Sequence, residues 1–550
     1  MNGCDKNMYT YSAKKGDTLR SIANQMNIGI EQLISINPQI TNPNVDLEGQ
    51  KVNVRRIIKI PVCKPMAPLT EQKHWIPLTS LEKMSETEYD VLIVGTGFGG
   101  PTVLWRLCEQ WRKKGMQIGV IESGDLLMPT NALNVPTLNA TSARAFYKNF
   151  GFPLGKFQPE YPGATEVFAL GGRSLFWSGN TPRLHPIDMD DWPVSYKEMI
   201  PYYNIAEQIM NVSTGYTKDS RITTKMLEII RRSGFPDVSE MPMAVDLSST
   251  RFGQIHSNAF FSSISLLAMA LYQRPFDIAV RARAVKIFTE NDNARGIQVM
   301  SPDKKSYYIK AKNIVLSASS WETPRLLIHS GIQGTSIGHY LMNHSKIVAT
   351  VRVDRNAFPE VLGTLALLVP RTNDRPFQVT IYGPNLERYM WYQTYEDKPL
   401  LEEIEIGIEA LGIVEPRFEN HISLNSNRLD EYRVPEIQVQ FSYSEKDKEM
   451  IGIMVNGVNQ IISGIGKAIT IKKSDLCLYV PGDDYHEMGT CRMGNDPATS
   501  VTNRYGQLHG ISNVYVADNS ILPFSGAANP TLTTVALAIR TADYIIHQLK

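Results

Sequence analysis

The run from Tyr89 to Glu122 limits this chain more than any other feature. Tyr89 to Val94 is apolar and β-branched, as suits a strand buried on both faces of a parallel sheet. Gly95-Thr96-Gly97-Phe98-Gly99-Gly100 follows at once. Pro101 to Trp111 then sets Val103, Leu104, Leu107 and Cys108 at helical spacing. A second apolar strand, Gln117 to Ile121, ends in Glu122. Strand, G-x-G-x-x-G, helix, strand and acid in that order predict a dinucleotide-binding unit. Gly95 permits the tight turn, Gly97 lets backbone approach a pyrophosphate, and Gly100 lets helix and strand pack closely. The helix start offers free amides and a positive dipole end to the phosphates. Pro101 costs little in the first turn. Glu122 can accept from the ribose hydroxyls of an adenosine. The motif alone does not choose between FAD and NAD.

The rest of the chain sets the scale around that unit. Its 550 residues, 43% hydrophobic and 20% charged, suffice for three or four domain-sized units. A disordered, collagen-like or coiled-coil chain is excluded. The net charge of +1 provides no field to gather nucleic acid or an anionic membrane. Cys4, Cys63, Cys108, Cys477 and Cys491 show no C-x-x-C spacing, so neither a disulfide framework nor a metal site is expected. Free thiols point to a reducing compartment. No apolar run reaches the ~18 residues of a membrane span, and Met1 to Tyr11 carries no secretory pattern. A cytoplasmic location is expected. His486-Glu487 lacks the second histidine of H-E-x-x-H, so the metallopeptidase signature is not met.

The first sixty residues read as a βααβ module. Tyr9 to Tyr11 is a β-type run, and Lys15 to Thr18 is a turn with a helix cap. Leu19, Ile22, Ala23 and Met26 lie at helical spacing, and Ile30 to Ile36 forms a second helix stopped by Asn37-Pro38. Lys51 to Ile60 alternates like a closing strand. Gly16 to Leu19, Ile22-Ala23, Leu33, Asn37-Pro38 and Gly49 to Val52 give residues 9–62 a close resemblance to a LysM module. That resemblance implies binding of an N-acetylglucosamine-type glycan, with possible cell-wall association. A role in oligomer contacts or solubility is the alternative. Residues 63–87, with Pro65, Pro68 and Pro77, read as a linker.

Three later segments extend the dinucleotide unit. Ala169 to Arg183 packs Gly171, Gly172 and Gly179 and small polar residues around Phe176 and Trp177. Such a loop lets backbone approach a flat ligand. Asn313 to Ser319 is a strand followed by a helix start at Trp321 to Leu327, and Asn513 to Ala517 is a strand ending in Asp518. With the first unit, these segments resemble the glucose–methanol–choline (GMC) oxidoreductase family from about Glu88 to Lys550. The resemblance implies an α/β fold: a Rossmann-like FAD-binding domain and a substrate domain on a large mixed or antiparallel sheet. The expected boundaries are 88–190, 241–345 and 480–550 for FAD, and 191–240 and 346–479 for substrate. It implies ADP contacts at Gly95, Gly97, Gly100 and Glu122, and an adenine contact at the Val285 backbone. Gly171, Gly172, Ser174 and Asn180 fall in its flavin-facing loop. Asp518 falls beside the phosphate or ribityl portion, and Pro530 and Thr531 beside the isoalloxazine.

Oxidising an alcohol with a flavin requires a base for the hydroxyl proton, a role histidine suits. Of ten histidines, His486 lies in Tyr485 to Gly494, which resembles the family's H-x-x-G-T-x-R-M-G segment. Asn529 follows in Ala527 to Thr533. The resemblance implies that His486 takes the proton and Asn529 orients the same oxygen. The helix starting near Pro530 would then stabilise charge on the reduced ring. His344 reads as structural or supporting, not as a base. A His–Asn pair and Trp192 to Glu207 resemble pyranose oxidases and bacterial glycoside oxidases. Some pyranose oxidases attach FAD through a histidine before the loop tryptophan. Phe176 stands there, so non-covalent FAD is expected.

The implied reaction is oxidation of a secondary hydroxyl, at C2 or C3 of a pyranose or glycoside, with oxygen or quinone as acceptor. Two alternatives stand: a non-sugar alcohol as substrate, or a glycan-binding protein with a degenerate flavin fold. A homo-oligomer is possible, with residues 125–168 as lid or subunit contact. Tyr389, Trp391, Tyr392 and Tyr395 either stack on a sugar or fill the sheet core.

Overall fold

Residues 8–55 and 74–549 are described by the computed structural model, except 114, 136, 139, 155–157, 218–219, 247–259, 359–362 and 386–401. Tyr389, Trp391, Tyr392 and Tyr395 therefore lie outside the described residues, as do Cys4, Cys63 and the expected strand end beyond Arg55. The chain forms two units, divided between Lys73 and His74.

In the first unit, strands Met8–Ser12 and Lys51–Arg55 pair antiparallel, Met8 opposite Arg55. Between them run helices Leu19–Met26 and Ile30–Ser35. Thr18 caps the first helix: its hydroxyl accepts from the Ser21 amide, and Ser21 accepts from the Thr18 amide in return. Leu19, Ile22, Ala23, Leu33, Leu47, Val52 and Val54 make the core. Asn37 is fully buried and holds helix to strand. Its amide donates to Leu33 O (2.9 Å) and Asn53 O (2.7 Å), and its oxygen accepts from Asn53 N (2.7 Å). Asn37→Ala leaves these backbone groups without those bonds, which should cost the module about 2–4 kcal/mol. Calorimetry of the full chain should show one transition lowered and the other unmoved.

The second unit contains a parallel five-stranded sheet. Its order is Val514–Val516, Ile314–Leu316, Val91–Val94, Ile118–Ile121 and Asp277–Ala279. The first four strands are buried throughout, and helices Gly99–Gln110, Ser263–Gln273 and Thr531–Gln548 pack with them in one core. The apolar run from Tyr89 is not one strand. Asp90 interrupts it, accepting from Gln117 N (2.8 Å) and pairing with Lys312 (2.8 Å). Glu88–Tyr89 instead joins a smaller sheet with Arg283–Glu290, Asn293–Met300 and Ser306–Ala311.

Two boundaries differ from the sequence expectation. The expected linker is folded from His74: Thr79 N donates to Ile278 O (2.7 Å), and helix Leu81–Glu86 buries Met84. Helix Tyr196–Ile209, expected in the substrate domain, buries Met199, Tyr203 and Ala206 in the core of the parallel sheet. Tyr203 Oη bonds Thr533 Oγ1 (2.8 Å).

A six-stranded sheet forms the other half of this unit, in the order Ile471–Leu478, Ser345–Asp354, Glu403–Gly412, Phe377–Asn385, Leu365–Val369, Ser239–Glu240. Every pairing is antiparallel. Alternation splits its faces. Ile347, Ala349, Val351, Ile406, Ile408, Val379 and Ile381 pack under helices Arg221–Arg232 and Glu445–Ala468. Lys346, Gln378, Thr380, Tyr382 and Glu409 take the opposite face. Among the described residues, no helix is long and apolar enough to cross a membrane.

Candidate active site

The loops after Val94, Ile121, Leu316 and Val516 meet at the carboxyl end of the parallel sheet, where such sheets bind ligands. Gly95 sits at φ +96°, and a Cβ there would lie 2.3 Å from Ser317 O. A Cβ on Gly100 would lie 2.1 Å from Gly95 O, so this glycine serves the packing of helix on strand. Gly97 differs: a Cβ there meets no atom within 4 Å. Across the space stands Gly172, at φ +52°, whose nearest atom from a built Cβ is Gly97 Cα at 3.8 Å. Two glycine loops thus approach each other with no side chain between them, and Gly97 leaves its own backbone open, which fits the close approach of the pyrophosphate of FAD. Gly99, absent from the sequence expectation, is the tightest point, its Cβ falling 1.5 Å from Ala517 O.

Several predicted binding residues hold protein groups. Glu122 is buried, and burial raises its pKa. It accepts from Thr96 N (3.0 Å), Thr96 Oγ1, Gly124 N (2.8 Å) and Ser123 Oγ (3.2 Å). Thr96 Oγ1 also accepts from Gly171 N (2.9 Å), which ties the two glycine loops together. The Ser174 hydroxyl bonds Gly171 O (2.7 Å) and Ser263 N (3.0 Å) and so fixes the second loop from behind. Asn131, not singled out in the sequence, donates to Ser174 O (3.3 Å) and Trp177 O (3.1 Å). Asn180 is half-buried and bridges to Met243. Val285 sits at a bulge, opposite no residue of the neighbouring strand. Asp518 caps the turn Asn519–Ile521 and accepts from Ser319 N (3.1 Å) and Thr323 Oγ1 (2.6 Å). Pro530 and Thr531 begin the helix Thr531–Gln548, directly after Asn529.

The structure brings His486 and Asn529 together, with Asn529 Nδ2 3.4 Å from His486 Nε2. It also orients both. His344 Nε2 lies 3.3 Å from Ser525 O, and a carbonyl only accepts, so this nitrogen carries the proton. Burial lowers the His344 pKa to about 4, so the ring is neutral and its Nδ1 is an acceptor. His486 Nδ1, 2.9 Å away, must then donate. His486 Nε2 is left as a bare lone pair and accepts from Asn529. Gln378 Nε2 donates to Asn529 Oδ1 (2.9 Å) and turns the amide that way. Every donor in this relay meets an acceptor. Burial, with the fields of His344, Lys346 and Arg173, holds the His486 pKa well below 6.5.

Asp484 lies beneath the pair. It accepts from His344 N (2.7 Å) and Asn343 Nδ2 (3.3 Å), and burial pushes its pKa up to about 7. One ligand-type atom each from His344, Asp484 and His486 lie within 4.8 Å of one another. A metal there would displace the Nδ1–Nδ1 hydrogen bond that sets the tautomer. Arg173 pairs with the wholly buried Glu487 (2.7 Å), joining the flavin-facing loop to the His486 segment. Gln378, Asp484 and the Arg173–Glu487 pair escape sequence reading because each acts through a partner over 100 residues away.

Comparison with known proteins accords with this geometry. Two family models described as GMC oxidoreductase match residues 163–346 and 416–538, together more than half of the chain. A LysM domain model matches residues 11–55. A 2-methyl-1,2-propanediol dehydrogenase of Mycolicibacterium austroafricanum is 26% identical over 545 residues, covering 84% of this chain and 96% of the relative. A C-glycoside 3-oxidase of Microbacterium trichothecenolyticum is 25% identical over 401 residues, covering 69% and 75%. The crystal structure of a formate oxidase superposes with a TM-score of 0.64 at 15% identity, covering 84% of this chain and 98% of that one. The chain belongs to the GMC oxidoreductases, FAD-dependent enzymes acting on CH–OH groups, and carries an added LysM domain.

Proposed function

We propose that this protein oxidises a secondary ring hydroxyl, at C2 or C3, of a pyranose or glycoside to a keto-sugar. The observation that carries the reading is the His486–Asn529 pair, an acceptor nitrogen and an amide donor 3.4 Å apart. A substrate hydroxyl that replaces this direct hydrogen bond donates its proton to His486 Nε2 and accepts from Asn529 Nδ2. FAD, when bound, supplies the hydride acceptor at N5. His486 takes the hydroxyl proton, and its Nδ1–H stays on His344, so the ring keeps its orientation as it becomes charged. Asn529 steadies the oxygen without gaining charge. The start of helix Thr531–Gln548, next to Asn529, favours negative charge on the reduced ring. Gly97 and Gly172 present open backbone to the cofactor, Gly95, Gly100 and Gly171 shape the loops that carry it, and Glu122 and Val285 are assigned to the adenosine side.

The cofactor is held without a covalent bond. Phe176, which precedes Trp177, packs at 5.1 Å against the Tyr147 ring and offers no nucleophile. Acid precipitation should therefore leave a colourless pellet and a yellow supernatant; a yellow pellet would refute non-covalent attachment. The free thiols Cys108, Cys477 and Cys491 support a cytoplasmic location. The LysM module binds an N-acetylglucosamine-type glycan on this reading, and retention of the full chain on chitin or peptidoglycan tests that.

A second reading takes a small non-sugar diol as substrate. The 2-methyl-1,2-propanediol dehydrogenase, which aligns over more of the chain than the C-glycoside oxidase, favours it. One experiment separates the two. Flavin bleaching is followed without oxygen, with glucose, methyl glucosides, a C-glycoside and 2-methyl-1,2-propanediol. Oxygen or a quinone is then added. Bleaching by sugars, with an NMR-identified C2 or C3 ketone, is the expected result. Bleaching by the diol alone overturns the sugar reading.

A further inference from the structure

The sheet face toward the His486–Asn529 pair carries charged groups that give or take no proton in the oxidation, although the field of Lys346 acts on His486. Gln378 on this face bonds Asn529, and His344, two residues before Lys346, bonds His486. The register places the rest. Leu411 lies opposite both Lys346 and Gln378, and Glu409 lies opposite both Val348 and Thr380. Lys346 and Gln378 therefore stand on one rung two strands apart, about 10 Å. That spacing suits a single sugar ring with its hydroxyls. Lys346 Nζ lies 3.2 Å from Glu409 Oε1, and Tyr382 Oη donates to the same oxygen (3.1 Å). The Tyr382 ring lies over Gly407, where a Cβ would fall 2.5 Å from Cζ. Any larger residue at 407 would push this tyrosine off the glutamate.

The pair is sheltered but reachable: the Lys346 side chain is 14% exposed and the Glu409 side chain 24%. An ammonium has three donors and a carboxylate two acceptor oxygens. Among the described residues, Lys346 pairs with one carboxylate and lies 5.1 Å from the centre of the Tyr479 ring, and Glu409 Oε2 accepts no hydrogen bond. Lys346 and Glu409 thus offer a donor and an acceptor side by side, with no net charge. That combination matches two neighbouring hydroxyls, each of which gives one hydrogen bond and takes another. A substrate amine or carboxylate would meet a like charge in one of the two groups.

We propose that Lys346 and Glu409, positioned by Tyr382, form a subsite for two adjacent hydroxyls of an uncharged sugar ring, and that this subsite selects neutral sugars over amino and acid sugars. The proposal rests on the sugar reading of the active site. It makes Lys346 and Glu409 specificity residues, whereas the proton transfer stays with His486.

Charge-altering variants test it through opposite shifts. Glu409→Gln leaves a lone cation, and Lys346→Met leaves a lone carboxylate. Anaerobic flavin bleaching is measured for glucose, glucosamine and glucuronate with the full-length holoenzyme, and the bound-flavin spectrum checks the fold. The wild type should have its lowest half-saturation for glucose. Glu409→Gln should raise the glucose half-saturation at least tenfold, keep the limiting rate within threefold, and shift preference toward glucuronate. Lys346→Met should shift it toward glucosamine. Should Lys346→Met fail to hold flavin, Glu409→Gln alone still decides the matter. Bleaching of the wild type by glucose with unchanged ratios in Glu409→Gln overturns the subsite and leaves the sugar reading intact. A wild type bleached by none of these sugars overturns both.

Discussion

Alanine in place of His486 should slow anaerobic flavin bleaching by about 10²–10⁴-fold with flavin still bound, the range for loss of a general base. That is roughly 3–5 kcal/mol of transition-state stabilisation. The bound cofactor should survive because the glycine cradle does not use this side chain. The pH profile carries a sign. Burial first, then the fields of His344, Lys346 and Arg173, hold the His486 pKa well below 6.5. The neutral ring is the base, so a lowered pKa keeps it competent as the medium is acidified. The wild-type limiting rate should hold from neutral pH down to 6.5 and fall only below it. An acid limb centred above 6.5, or full activity in His486→Ala, would reject this base assignment.

Among the glycines of the described residues, Gly99→Ala should be the most damaging. Its Cβ would fall 1.5 Å from Ala517 O, where helix Gly99–Gln110 meets the end of strand Val514–Val516. The obstacle is backbone on both sides, so no rotamer relieves it. The loss should exceed about 4 kcal/mol, beyond the usual range for one substitution, and little soluble flavoprotein should be recovered. Gly97→Ala, two residues earlier, should behave in the opposite way. Its Cβ meets no protein atom within 4 Å, so the apoprotein should melt near the wild-type temperature while flavin binding weakens. Equal thermal stability of the two variants would contradict this division of labour.

These two glycines show what the sequence can and cannot separate. G-x-G-x-x-G after an apolar run is legible because its turn and helix start need local backbone geometry. Gly99 lies outside the spaced pattern, and its constraint comes from a carbonyl over 400 residues away. The expected strand at Tyr89 to Val94 failed for a related reason. Its composition is continuous, but Asp90 bonds across to Gln117 and Lys312 and sends the two parts to different sheets.

By itself the sequence determined the βααβ module and the dinucleotide unit, whereas the pairing of a histidine segment with an asparagine segment came only from the family resemblance. The module and the unit rest on periodicity or on a motif whose chemistry is local. Tertiary structure alone decided the tautomer of His486, because that depends on Ser525 O reaching it through His344. It also decided that Glu122, Ser174 and Asp518 are engaged with backbone and hydroxyl donors of the protein. It placed Lys346, Gln378 and Glu409 on the face toward the catalytic pair. Alternation says which residues share a face, but only the packing of two helices against the other side says which face is left for the substrate.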